Sequence, residues 1–332
     1  MKTLVLHIGM PKTGTTTLQR DYFPHLEEYV GKLYDSVSGR SIGYKAPLFS
    51  KLYETFTRFT MEPPSDVRNS SIENDLKDWV REIAVHPSKT FLFSDENFAR
   101  WPSSPGSRDV WPVQESAGIQ RSGELPLVSF LKVLKPIAEP HILIRTVVGI
   151  RNHTDFLFSF ANQLGLGEKH GFWREVIDRN AAYLNWSDHI QSLQSLLGPE
   201  NNLTLLFEDG LDESTALIDS YLGLRQNKST PHPLGRQNRR QSAGGTWEST
   251  HKRVSLTENA VYRSIASRWR PKSSWLKTGV ARFIWLVEHS FGRSRVTTAV
   301  SPEERSAIQA WAREDRVRLE KMLQRDLAKL GY

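Results

Sequence analysis

Four short apolar or β-branched runs, each closing on turn residues that lead into a helical pattern, constrain this chain more than any other feature. They are Thr3 to Ile8, Thr90 to Phe93, Ile142 to Ile150 and Leu203 to Phe207. Strands that alternate with helices predict an α/β fold, a central parallel sheet covered by helices on both faces. Ligands of such sheets lie beyond the carboxyl ends of the strands, so the residues just after each run carry the functional reading. A chain of 332 residues, 38% of them hydrophobic, can bury one large α/β core or two small ones. One domain over 1–332 with insertions is the simplest account, and an independent C-terminal helical lobe is the alternative. Trp101 to Gly106, Trp111 to Gly123 and the polar, basic tract Asn227 to Arg240 read as loops.

Several classes of chemistry are excluded at once. The chain has no cysteine, which removes disulfides, thiolate zinc sites and cysteine nucleophiles, and its ten histidines show no ligand spacing, so no metal is expected. The apolar start, Met1 to Gly9, is too short for a signal segment and runs directly into a loop, and no later window reaches about 18 uncharged apolar residues. A cytoplasmic enzyme is the expectation.

The loop is Gly9-Met-Pro-Lys-Thr-Gly14-Thr-Thr-Thr17, between the first strand and a helix from Leu18 onward. Glycines let the backbone approach an anion. Successive N–H groups, the helix dipole and the hydroxyls of Thr15, Thr16 and Thr17 then supply positive potential and donors. Against the pattern G-x-x-x-x-G-K-[ST], both glycines are in place, but the lysine lies inside the loop at Lys12 and Thr15 occupies the usual lysine position, which disfavours an ordinary ATP site. The structural alternative is a turn that merely joins strand to helix.

Pro11-Lys12-Thr13-Gly14-Thr15-Thr16 resembles the 5′-phosphosulfate loop of the sulfotransferases that use 3′-phosphoadenosine 5′-phosphosulfate (PAPS). The resemblance implies a P-loop-NTPase-like sulfotransferase fold of the bacterial or carbohydrate-type branch. It also implies that Lys12 reaches the bridging oxygen between phosphate and sulfuryl group and that Thr17 belongs to the same cradle. A second motif follows the third strand. Arg151 is separated by seven residues from Ser159 on the next helix, and the pair resembles the family's 3′-phosphate motif. A guanidinium with a hydroxyl can grip three phosphate oxygens and so separate the cofactor from plain adenylate. Taken alone, an arginine after a strand more often forms a surface ion pair. His153 departs from the family, whose members usually carry proline there, and puts the local turn in question.

Glu96, in Phe93-Ser-Asp-Glu-Asn-Phe98, resembles the family's segment whose glutamate takes the acceptor proton. Capping of a following helix by Asp95-Glu96 is the alternative use, and His7 at the end of the first strand is the reserve base. Glu208 and Asp209, after the fourth strand, resemble the family's acidic pair before a helix closing on Leu222-Gly-Leu224, which favours a structural role over catalysis. Sulfuryl groups carry less charge than phosphoryl groups, so no bridging magnesium is required in principle.

Between Arg263 and Arg295 the chain has eight Lys/Arg and one acidic residue, a surplus of 8 − 1 = +7 that equals its whole net charge. Residues 263–298 are read as a basic helical insertion and 303–332 as a C-terminal helix. The insertion is either a solvated hairpin packed on the core or, through 263–295, a peripheral contact with membrane or a sugar chain. No reader motif supports nucleic acid. Transfer from PAPS to a hydroxyl of a carbohydrate, glycolipid or small alcohol, releasing adenosine 3′,5′-bisphosphate, is the expected reaction. A P-loop kinase and a non-catalytic nucleotide-binding protein of the same fold are the rivals. Oligomeric state and acceptor are not legible.

Overall fold

The computed structural model describes residues 1–9, 13–34, 41–62, 65–95, 98–99, 125–164, 173–174, 177, 184–223, 252–253, 294–295 and 301–332. The expected loops at 101–106, 111–123 and 227–240, and the basic stretch 263–298 other than Ser294–Arg295, lie outside them.

A four-stranded parallel sheet forms the centre. Its strands are β1 (Lys2–Gly9), β4 (Thr90–Ser94), β5 (Ile142–Ile150) and β6 (Asn202–Leu206), in the order β4-β1-β5-β6. A short antiparallel pair, β2 (Lys32–Tyr34) with β3 (Ser41–Tyr44), follows β1 in the chain. Each of the four runs singled out in the sequence becomes a sheet strand, with ends within one residue of those expected. β1 pairs with β5 over its full length, from Lys2↔Ile142 to Gly9↔Gly149, which makes these two strands the rigid middle of the molecule. The middle of the outer edge of β4 is covered by Glu28–Val30, whose backbone bonds both the N–H and the carbonyl of Leu92.

Side chains alternate along the strands and divide the core in two. Leu4, Leu6 and Ile8 face one layer, where they meet Phe91, Phe93, Ile144, Val148 and Ile150. Against that layer pack α2 (Pro47–Met61), α3 (Asp66–Val85), α4 (Pro126–Ala138), α5 (His153–Leu164), α6 (Trp186–Leu197) and α8 (Pro302–Leu323). Val5, Leu92, Val147 and Leu205 face the other layer, covered by α1 (Thr15–Thr17, continuing as a π-turn over Leu18–Tyr22) and α7 (Leu211–Leu222). The sheet therefore has helices on both faces, as the alternating pattern requires.

Helix ends follow local chemistry. Ser65 caps α3 by accepting from the Arg68 N–H at 3.1 Å, and Ser301 with Glu304 forms a capping box at the start of α8, where Pro302 sets the first turn. One boundary differs from the sequence reading. The C-terminal helix expected over 303–332 stops at Leu323, because Gln324 turns left-handed (φ 53°) and the Glu320 carboxylate captures the N–H groups of Leu327 and Ala328, each at 3.1 Å. The chain then folds back so that Leu327 and Tyr332 are both buried. Among the described residues no helix is long and apolar enough to cross a membrane.

Candidate functional site

Gly9 and Gly149 are paired residues near the carboxyl ends of the two central strands, and Thr13 and Thr15 lie against them. The Thr15 side chain lies so close above Gly9 that a Cβ there would overlap it, while Thr13 Oγ1 would stand 3.0 Å from a Cβ on Gly149. Thr13 Oγ1 and Thr15 Oγ1 are 3.4 Å apart and both side chains are buried. Gly14 takes the left-handed conformation (φ 79°) that a side chain would strain, and its carbonyl accepts from the N–H groups of Thr17 and Leu18 at 3.0 and 3.2 Å. Of the three threonines that follow, Thr15 and Thr17 point inward and Thr16 is exposed. Pro11 and Lys12 lie outside the described residues. Thr13 and Thr15 thus close onto the two glycines at the start of the helix, where the absence of side chains admits them.

Arg151 leaves β5 beside this turn. Its side chain is 16% exposed, with the guanidinium carbon 4.4 Å over the ring of Phe207 and Asp155 Oδ2 at 3.9 Å. Asp155 also faces Arg305 at 3.5 Å. Ser159, four residues beyond Asp155, lies on the same stripe of α5 and is half-buried. Arg151 and the turn are therefore brought together at one edge, on neighbouring strands. In the sequence Phe207 is only the end of an apolar run, and nothing there marks it as part of the site. It is a large apolar side chain left 38% exposed, and its ring also lies 3.5 Å from where a Cβ on Gly14 would be.

The carboxylates after β6 hold structure. Glu208 Oε1 accepts from the Asn152 N–H (2.9 Å) and Nδ2 (3.0 Å), and Oε2 accepts from the Tyr332 hydroxyl (3.0 Å). Burial pushes the Glu208 carboxyl up, and the N–H groups of Asn152 and of Glu208 itself, the Tyr332 hydroxyl and the Arg151 charge partly offset it. Asp209 makes a two-bond pair with Arg325, at 2.5 and 2.7 Å.

A second polar cluster lies at the ends of β1 and β4. His7 Nδ1 is 2.7 Å from Ser94 Oγ, which also accepts from Gln19 Nε2 at 2.9 Å, and His7 stands edge-on to Phe23. Burial pushes His7 down to about 3, so the ring is neutral. Next to it Asp95, fully buried, accepts from the Tyr44 hydroxyl at 3.3 Å. Glu96 lies outside the described residues. The π-turn that carries Gln19 into this cluster had no recognisable sequence signal.

His153 opens α5. Its Nε2 donates to the Leu184 carbonyl at 2.9 Å and to Asp315 Oδ2 at 3.0 Å, and its ring stacks on Trp186. Burial raises the Asp315 carboxyl, but the His153 and Ser187 hydrogen bonds outweigh it and hold the group below the usual range.

No family model matches the chain, and no curated protein matches it. Among solved structures, a sulfotransferase from Alicyclobacillus acidocaldarius is similar over 100% of both chains, with 12% identity and a TM-score of 0.41, a level that carries no argument about activity.

Proposed function

We propose that this chain is a sulfotransferase that moves a sulfuryl group from PAPS to a hydroxyl of a carbohydrate, glycolipid or small alcohol. The observation that carries the reading is the pairing Gly9↔Gly149, which puts the Gly9–Thr17 turn and Arg151 at the ends of adjacent strands. Neighbouring strands are about 4.8 Å apart, so a single nucleotide with anionic groups on both its 5′ and 3′ sides can meet both. The exposed ring of Phe207 beneath Arg151 offers an apolar surface to the nucleoside between them.

In this reading the turn receives the 5′-phosphosulfate through its N–H groups and buried hydroxyls, with Arg151 and Ser159 on the 3′-phosphate. The acceptor oxygen forms a bond to sulfur as the bond from sulfur to the bridging phosphate oxygen breaks. Lys12 and the loop N–H groups balance the charge that appears on that departing oxygen. Glu96 takes the acceptor proton and later returns it to water. The products are the sulfated acceptor and adenosine 3′,5′-bisphosphate.

The test is incubation of the protein with sulfur-labelled PAPS and panels of sugar, glycolipid and small-alcohol acceptors. Label should move to an acceptor, and Lys12→Ala and Glu96→Gln should each slow that transfer by roughly a hundredfold or more. Magnesium-dependent transfer of phosphate from ATP, or turnover unchanged in both variants, would contradict the reading.

A further inference from the structure

Arg151 can be selective for a 3′-phosphate only if its own backbone is fixed, and one peptide group decides that. The carbonyl of Arg151 accepts from Trp186 Nε1 at 3.0 Å, and the N–H at the other end of the same peptide, on Asn152, donates to Glu208 Oε1 at 2.9 Å. The peptide is pinned from two sides, by α6 and by the end of β6. The Asn152 side chain repeats the grip, donating to Glu208 Oε1 at 3.0 Å and Asp155 Oδ2 at 3.1 Å and accepting from the Asp155 N–H at 2.9 Å.

Both pins lead to the same segment. Glu208 is steadied by the Tyr332 hydroxyl on Oε2. Trp186 is steadied through its own backbone, since the N–H groups of Trp186 and Ser187 donate to Asp315 of α8 at 3.0 and 2.9 Å. Tyr332 is in turn tied back to α8 by Arg316, whose guanidinium donates to the Tyr332 backbone oxygen at 3.2 Å. Arg325 joins the same segment to Asp209, next to Glu208. The break of α8 at Gln324 is what allows Tyr332 to reach this place, because the chain turns back over Glu320 after it.

We propose that Ser301–Tyr332 is a positioning strap for Arg151, and that the Tyr332 hydroxyl, acting through Glu208, is a positioning group that sets selectivity for a nucleotide bearing a 3′-phosphate. This rests on the functional reading above and deepens it. Tyr332 touches no ligand in this account. Its hydroxyl fixes the carboxylate that fixes the peptide that aims the guanidinium.

The experiment compares, by calorimetry, the affinities of the full chain for adenosine 3′,5′-bisphosphate and for adenosine 5′-monophosphate, and takes their ratio as the selectivity. Wild type should prefer the bisphosphate strongly. Tyr332→Phe should lower the ratio by about fivefold or more through weaker bisphosphate binding alone, which follows from mis-aimed charge-assisted bonds. Ser65→Ala, which uncaps α3 and touches no residue of the strap, should lower the melting temperature and leave the ratio unchanged. Should Tyr332→Phe fail to fold, Glu208→Gln reads the same ratio. A ratio unchanged in the folded variant overturns the proposal while leaving the functional reading intact. A wild type without preference for the bisphosphate overturns both.

Discussion

Two polar clusters occupy the carboxyl edge of one sheet and do different work. At the ends of β5 and β6, Arg151 is partly exposed and its charge is surrounded by a relay of ionic and charge-assisted bonds through Asp155, Glu208, Tyr332 and Asp315. At the ends of β1 and β4, His7, Ser94 and Gln19 are almost wholly buried and form a hydrogen-bonded network whose histidine is held neutral. Position at a strand end, which singled out Arg151, Glu208 and His7 in the sequence, does not separate the groups that can meet a ligand from those that tie strands together. Burial does. A group that has given up its contact with water can serve catalysis only if something else opens it, and Phe23 and the π-turn close over His7.

The comparison breaks most visibly at Asp315. Asp315→Ala strands the N–H groups of Trp186 and Ser187 and the His153 Nε2–H in a buried place, and should cost about 3 kcal/mol or more in urea unfolding. In the intact protein its lowered folded pKa means that this stabilisation is present at neutral pH and disappears as pH falls below about 4, the range of an unfolded aspartate. A variant as stable as wild type would mean that the strap does not brace α6.

His7 should show the opposite cluster at a smaller amplitude and a different pH. Its folded pKa of about 3 lies below the unfolded 6.5, so the unfolded chain binds the proton first and stability must fall as pH drops from 6.5 towards 3. Between pH 6.5 and about 5 the loss should be roughly 2 kcal/mol, and His7→Gln should flatten it. An unchanged slope in the variant would show that His7 reaches water, and would restore it as a candidate base.

The strands and the turn were legible because their signals are local. Apolar runs bounded by turn residues define the four strands to within a residue, and the spacing of Gly9 and Gly14 defines the turn whatever lies around it. The relay behind Arg151 was not legible because its partners are far apart in the chain. Asn152 meets Glu208 56 positions on, and Glu208 meets Tyr332 124 positions further. The same distance effect explains α8. Leu319, Leu323 and Leu327 keep a helical spacing and suggest an unbroken helix, but the hydrogen bonds of Glu320 and the burial of Tyr332 decide otherwise. His153 is a third case. Its buried imidazole bonds the Leu184 carbonyl and Asp315, partners 31 and 162 positions away that no local pattern announces.

We propose that Arg151 and the Gly9–Thr17 segment bind the two ends of one nucleotide, and calorimetric titration with adenosine 3′,5′-bisphosphate tests this. Run with and without magnesium, with ADP and ATP as controls, on wild type and Arg151→Ala, it should give tight, metal-independent binding of the bisphosphate that weakens by about a hundredfold in the variant. Preference for ATP with magnesium, or bisphosphate binding that Arg151→Ala leaves unchanged, would contradict it.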